Sequence, residues 1–207
     1  MAKKSKRKRK LRKGRIVMVV IIVVAIVIMS CLVVKRINQN SEAKKVKNLA
    51  EIKIPDWIDS QIIDVDGASR NGYKLKGVKD IVVHYVGNPG TTAQQNHDFY
   101  AGNQSNVSSH FVVGLDGEII QCIPINEWSA ASNWRNNDTI SIEVCHPDET
   151  GKFKKKTYSS LVKLVAWLEN VCDIDESHVI RHYDITKKEC PRYFVPVSYT
   201  HLRAHET

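Results

Sequence analysis

The longest apolar run in the chain is IVMVVIIVVAIVIMSCLVV, residues 16–34, nineteen positions without a charge. As a helix it spans a hydrocarbon layer of about 30 Å, so the pattern predicts one transmembrane segment. Residues 35–54 are polar, without strong apolar periodicity, and read as a stalk or short helix. From about Pro55 the pattern changes to short apolar stretches broken by turn residues. DIVVHYV (80–86), rich in β-branched residues and followed by NPG, predicts a buried strand. TTAQQNHDFYAG (91–102) has a Thr cap and a closing Gly, which predicts a helix. HFVVGLDGEIIQCI (110–123) reads as strand, Asp-Gly turn and strand, the strongest hairpin signal present. TISIEVC (139–145) alternates, with Ile140, Ile142 and Val144 on one face and Ser141, Glu143 and Cys145 on the other. Leu161, Leu164, Val165 and Leu168 line one face of a helix over 155–172, as a helix covering a sheet should. The expected fold is α/β: a mixed central sheet flanked by helices over residues 55–196, preceded by one transmembrane helix. No internal repeat is visible.

Charge changes the picture only once it is located. The chain carries a net +9, which suggests nucleic acid. Ten of its 31 Lys and Arg, and no acidic residue, fall in residues 1–15, leaving 21 basic against 22 acidic residues elsewhere. The basicity belongs to a tail beside the apolar run, which is a topology signal, and no nucleic-acid partner is expected. The dense positive block places the N-terminus in the cytoplasm and the following domain outside the cell membrane. A secretory signal peptide is the rival, but its apolar region is usually about 7–15 residues, and here Lys35 and Arg36 follow without an A-x-A site. A lipoprotein-type cleavage before Cys31 is conceivable from IMSC, although the residues after it stay apolar. Beyond Cys31, the four remaining cysteines allow three disulfide connectivities, in a domain large enough to need none. The last eleven residues, VSYTHLRAHET (197–207), resemble the conceptual translation of a sequencing-library transposase adapter. His201 and His205 are therefore set aside, and the natural sequence is expected to be cut short after about Pro196.

Six histidines remain. His97 on a polar helix, His146 beside Pro147 and His178 before a strand read as surface residues. His84 differs, because it interrupts an apolar strand where an imidazole needs a partner. His182 and Cys190, in RHYDITKKEC, flank a loop and could add two further ligands. A lone strand histidine is more often packed than ligating, yet His, His and Cys with one open position is a catalytic zinc arrangement. The thiolate suits zinc better than magnesium or calcium.

Four blocks together, IVVHYVGNPGTTA, SSHFVVGLDGEIIQCIP, ISIEVCHPDETGKF and RHYDITKKECPR, resemble the zinc N-acetylmuramoyl-L-alanine amidases, whose fold is shared with phage lysozyme-like amidases and peptidoglycan recognition proteins. The likeness covers about residues 68–195 and looks closest to cell-wall hydrolases of Gram-positive bacteria and their phages. It implies Zn2+ held by His84, His182 and Cys190. It implies Glu143 as the carboxylate that activates water and Lys188 as the cation that steadies the oxyanion. His110 matches a histidine that is not a ligand and is assigned to packing or to shaping the substrate groove. Lys187 has no matching role and is expected to be solvated. The implied substrate is peptidoglycan, cleaved between N-acetylmuramic acid and L-alanine by a monomer.

Two positions depart from that pattern. Some branches carry a catalytic tyrosine where this chain has Ser109, which shifts proton transfer toward Glu143. In SAASNWRNN (129–137), some relatives place a histidine and a glycine. The competing reading is a peptidoglycan-binding receptor on the same fold without turnover; such members typically lack the cysteine ligand, which Cys190 supplies here.

Overall fold

The computed structural model describes residues 18–38, 49–65, 68–102 and 105–195. The expectations for the basic tail, for residues 39–48 of the stalk and for residues 196–207 lie outside these. The chain divides into two compact units, Met1–Glu42 and Ala43–Thr207. In the first, α1 (Met18–Asn38) is the one described helix long and apolar enough to cross a membrane. It runs past the apolar segment through Lys35 and Arg36, as a helix end reaching polar surroundings can.

The second unit is built on a six-stranded mixed sheet of order β1-β4-β3-β5-β2-β6. The strands are β1 (Asp59–Ser60), β2 (Asp80–Tyr85), β3 (Phe111–Val113), β4 (Ile119–Gln121), β5 (Thr139–Val144) and β6 (Val179–Arg181). Only β3 and β4 pair antiparallel, as the hairpin expected from the sequence; the other neighbours are parallel. The hairpin closes through Gly117 at φ +89, a backbone conformation that L side chains rarely adopt. Gly114 N–H donates to the Glu118 carbonyl at 2.8 Å across the turn.

Strand alternation sends the two sets of side chains to different layers. Ile81, Val83, Ile140, Ile142 and Val144 meet Leu161, Leu164, Val165 and Leu168 of α3 (Lys155–Cys172) in the main core. On the opposite face, Val112, Ile120, Cys122 and Cys145 pack with Ala93 and Tyr100 of α2 (Ala93–Ala101). The Thr92 hydroxyl accepts from Gln95 N–H, while the Gln95 side chain accepts from Thr92 N–H, a capping box that fixes where α2 begins.

Some expectations change. Leu49, Ile52 and Ile54, assigned to the stalk, lie on the main core, with Leu49 only 3% exposed. Three scattered apolar residues carry too little periodicity to reveal that docking. RHYDITKKEC is not all loop, since His182–Thr186 form the short helix α4 directly after β6. Arg181 donates to the Asp184 carboxylate and to the Phe194 carbonyl, tying α4 to the segment after Cys190. Every cysteine in the described residues is a free thiol.

Candidate metal centre and active site

Parallel register brings the chemistry together. His84 on β2 is the direct neighbour of Glu143 on β5. Val83 pairs with Arg181 at the end of β6, so His182 follows in the row beside His84. Both strand residues point to the α2 face, opposite the main core, near the carboxyl ends of parallel strands where α/β sheets commonly hold ligands. The chain then turns through α4 and a left-handed Lys187 at φ +65 and returns with Lys188 and Cys190.

His84, His182 and Cys190 are all buried, and their ligand atoms lie within 4.8 Å of one another. The His84 and His182 rings are 4.6 Å apart by centroid. Burial, aided by His182 and Lys188, holds the His84 pKa well below the ordinary imidazole value. Burial and Lys188 lower His182 as well. Both imidazoles are therefore neutral, the form that donates a lone pair to a metal. Burial pushes the Cys190 thiol up, with Glu143 adding to the rise, and the Tyr85 backbone amide and Lys188 opposing it. A dicationic metal would overcome that rise by displacing the thiol proton. Two neutral imidazoles and one thiol, drawn together in this way, fit a soft-tolerant ion such as zinc.

Glu143 stands beside this trio. Its Oε1 is 3.8 Å from His84 Nδ1, and its Oε2 is buried without a hydrogen-bond partner. Burial pushes its carboxyl up to about 8, against a downward pull from Lys188. A carboxyl poised near neutral pH can take and return a proton. Lys188 lines the same cleft as Glu143 and the three candidate ligands, a volume of about 820 Å³. Lys187, exposed, places its ammonium 5.1 Å from the Tyr183 ring centroid.

The remaining histidines separate by environment. His110 is fully buried and does not line the cleft. Ser141 N–H donates to its Nδ1 at 3.0 Å, so the proton sits on Nε2 and is donated to the Glu127 carbonyl at 2.9 Å. His178 is largely exposed and pairs with Asp80, as a surface residue would. His146 is not a surface residue: it is 1% exposed, stacks on Tyr85 at 5.0 Å and reaches the Asp148 carbonyl. His97 is also mostly covered, with Nε2 2.8 Å from the Gln61 carbonyl oxygen. Ser109, the departure noted in the sequence, is fully buried and donates to the Phe111 and Ser141 carbonyls, so its hydroxyl faces the sheet.

Sequence reasoning missed the cleft wall. Gln95, Asn96, Phe99 and Tyr100 of α2 line it together with Val107 and Ala130. The i, i+4 pair Asn96 and Tyr100 was the available signal, but a helix with a weakly apolar face does not announce which side it turns to a cleft. Ser132 and Asn133, beside the two histidines, were missed as well.

The family profile described as N-acetylmuramoyl-L-alanine amidase matches residues 74–193, more than half of the chain. The chain belongs to that family. Among curated amidases, it is 32% identical over 154 residues to N-acetylmuramoyl-L-alanine amidase BlyA of Bacillus subtilis (strain 168). It is 30% identical over 150 residues to N-acetylmuramoyl-L-alanine amidase CwlL of Bacillus licheniformis. Each alignment covers 64% of this chain, and the chain spans 41% of each relative's length. The solved catalytic domain of XlyA matches with a TM-score of 0.61 at 28% identity, over 68% of this chain and 93% of that one. The amidase fold thus accounts for the described part of the second unit that carries the cleft, and the His84, His182 and Cys190 cluster lies inside the matched segment.

Proposed function

We propose that this chain hydrolyses the amide between N-acetylmuramic acid and L-alanine in peptidoglycan, with zinc held by His84, His182 and Cys190. The observation that carries the reading is the convergence of two buried neutral imidazoles and a thiol next to the half-free carboxyl of Glu143, in a member of the amidase family. An unactivated amide needs a stronger nucleophile than bulk water, and a polarised carbonyl. Zinc, when bound, lowers the pKa of a water toward about 7 and draws electron density from the carbonyl oxygen. Glu143 Oε2, with no protein partner, accepts the proton of the attacking water and returns it to the departing L-alanine nitrogen. The Lys188 ammonium, in the same cleft, faces the charge that builds on the former carbonyl oxygen. The buried Ser109 hydroxyl takes no part in this cycle.

The α1 helix is the proposed membrane anchor, with the basic tail cytoplasmic and the amidase domain, acting as a monomer, on the outer side. The presence and placement of Cys190 weigh against the non-catalytic receptor reading. Elemental analysis of the purified chain tests the metal: one zinc per wild-type chain is expected, and none for Cys190→Ser. A wild-type chain that neither retains zinc nor takes it up overturns the reading.

A further inference from the structure

The turn at Ser132–Asn133 is placed against both candidate histidine ligands. Ser132 Oγ lies 3.4 Å from His84 Nε2, and Asn133 Oδ1 lies 3.0 Å from His182 Nε2. His84 Nδ1, by contrast, faces Glu143 at 3.8 Å. The turn is held in shape from several sides. Ser132 is fully buried, and the Ala131 and Ser132 amides both donate to Asn136 Oδ1, at 3.2 and 2.6 Å. Arg135 donates to Asp138 and to Asp80, the first residue of the strand that carries His84. Asn133 itself sits at φ +55, a left-handed conformation that few residues other than glycine adopt and that asparagine tolerates better than most.

An amide oxygen accepts and cannot donate. Asn133 Oδ1 therefore places the His182 proton on Nε2 and leaves the Nδ1 lone pair free. Ser132, whose hydroxyl can accept or donate, touches His84 Nε2 more loosely at 3.4 Å and helps hold that ring in place. We infer that Ser132 and Asn133 are positioning residues: Asn133 fixes His182 with Nε2 protonated and its Nδ1 lone pair free for a metal, and Ser132 holds the His84 ring with Nδ1 toward Glu143. The inference rests on the metal reading above. It also gives a use to the 129–137 segment, which the family pattern left without one.

Zinc affinity of the full chain in detergent, measured by competition with a chromophoric chelator, tests this. Asn133→Gly keeps the left-handed backbone and removes only the acceptor; it should weaken zinc binding about 10–100-fold. Asn133→Asp keeps an acceptor in place and should bind at least as tightly as wild type. Wild-type zinc affinity in Asn133→Gly, with only the metal-free stability lowered, would mean a merely structural turn and overturn the inference. Long-range 1H–15N spectra of the metal-free wild-type chain read the tautomer directly, whether or not the variant folds. A His182 proton on Nε2 supports the inference and one on Nδ1 overturns it. A wild-type chain that binds no zinc defeats the metal reading, while the tautomer still decides the positioning role.

Discussion

Two buried histidines do different things here because of what their ring nitrogens meet. His110 has both nitrogens taken by backbone groups, so it can neither ligate nor move a proton in the cleft. His84 keeps Nδ1 toward a carboxyl and its ring beside a second imidazole, which is the environment of a ligand. The same contrast separates Ser109, turned into the sheet, from Glu143, whose second oxygen is unpartnered. His110 also makes a testable contribution to acid sensitivity. Burial holds its pKa down to about 4, partly offset by the Glu127 carbonyl, against 6.5 for an ordinary imidazole. Above pH 6.5 both folded and unfolded states are neutral at this position, and no stability is lost. As pH falls from about 6.5 toward 4, the unfolded chain takes up a proton that the folded chain refuses, at a cost approaching about 3 kcal/mol. Chemical denaturation between pH 7.5 and 4 should show this loss in the wild type and a flatter dependence in His110→Gln, whose amide does not titrate. Equal slopes would contradict the environment assigned to His110.

At the scale of elements, the sequence was most informative where periodicity is long or turn chemistry strict. The eighteen residues of α3 display their apolar face unambiguously, and Leu161, Leu164, Val165 and Leu168 are buried as the spacing requires. Leu164, with no exposed surface, should cost about 2–5 kcal/mol when changed to Ala, read as a shift in the denaturation midpoint without a change in slope. The β3–β4 hairpin was legible through Asp116–Gly117, and the start of α2 through its Thr92 cap. What was not legible was mostly short or nonlocal. The five residues of α4 are fixed by the local Arg181–Asp184 pair and by Arg181 reaching the Phe194 carbonyl, a contact that no local pattern contains. His146 reads as polar beside Pro147, but stacking on Tyr85 from a neighbouring strand buries it. The grouping of His84, Glu143 and His182 depends on strand register, which spacing along the chain cannot supply. The family resemblance named those residues; only parallel pairing of β5, β2 and β6 explains why they form one row.

At the scale of the whole chain, one apolar helix and one near-neutral enzyme-family domain divide the work. The charge that makes the chain basic lies before that helix in the sequence, and residues 16–207 are nearly balanced, with 21 basic against 22 acidic residues. Membrane fractionation should retain the chain through alkaline carbonate and release it with detergent; recovery in the aqueous fraction would contradict the anchor. The central claim, amide hydrolysis by the cleft, is tested most directly by digesting purified peptidoglycan with the zinc-supplemented full chain and identifying the products by mass spectrometry. The account predicts new L-alanine N-termini on released stem peptides, intact glycan strands, and loss of that product in Glu143→Gln while zinc stays bound. Reducing sugar ends without free L-alanine N-termini would contradict it.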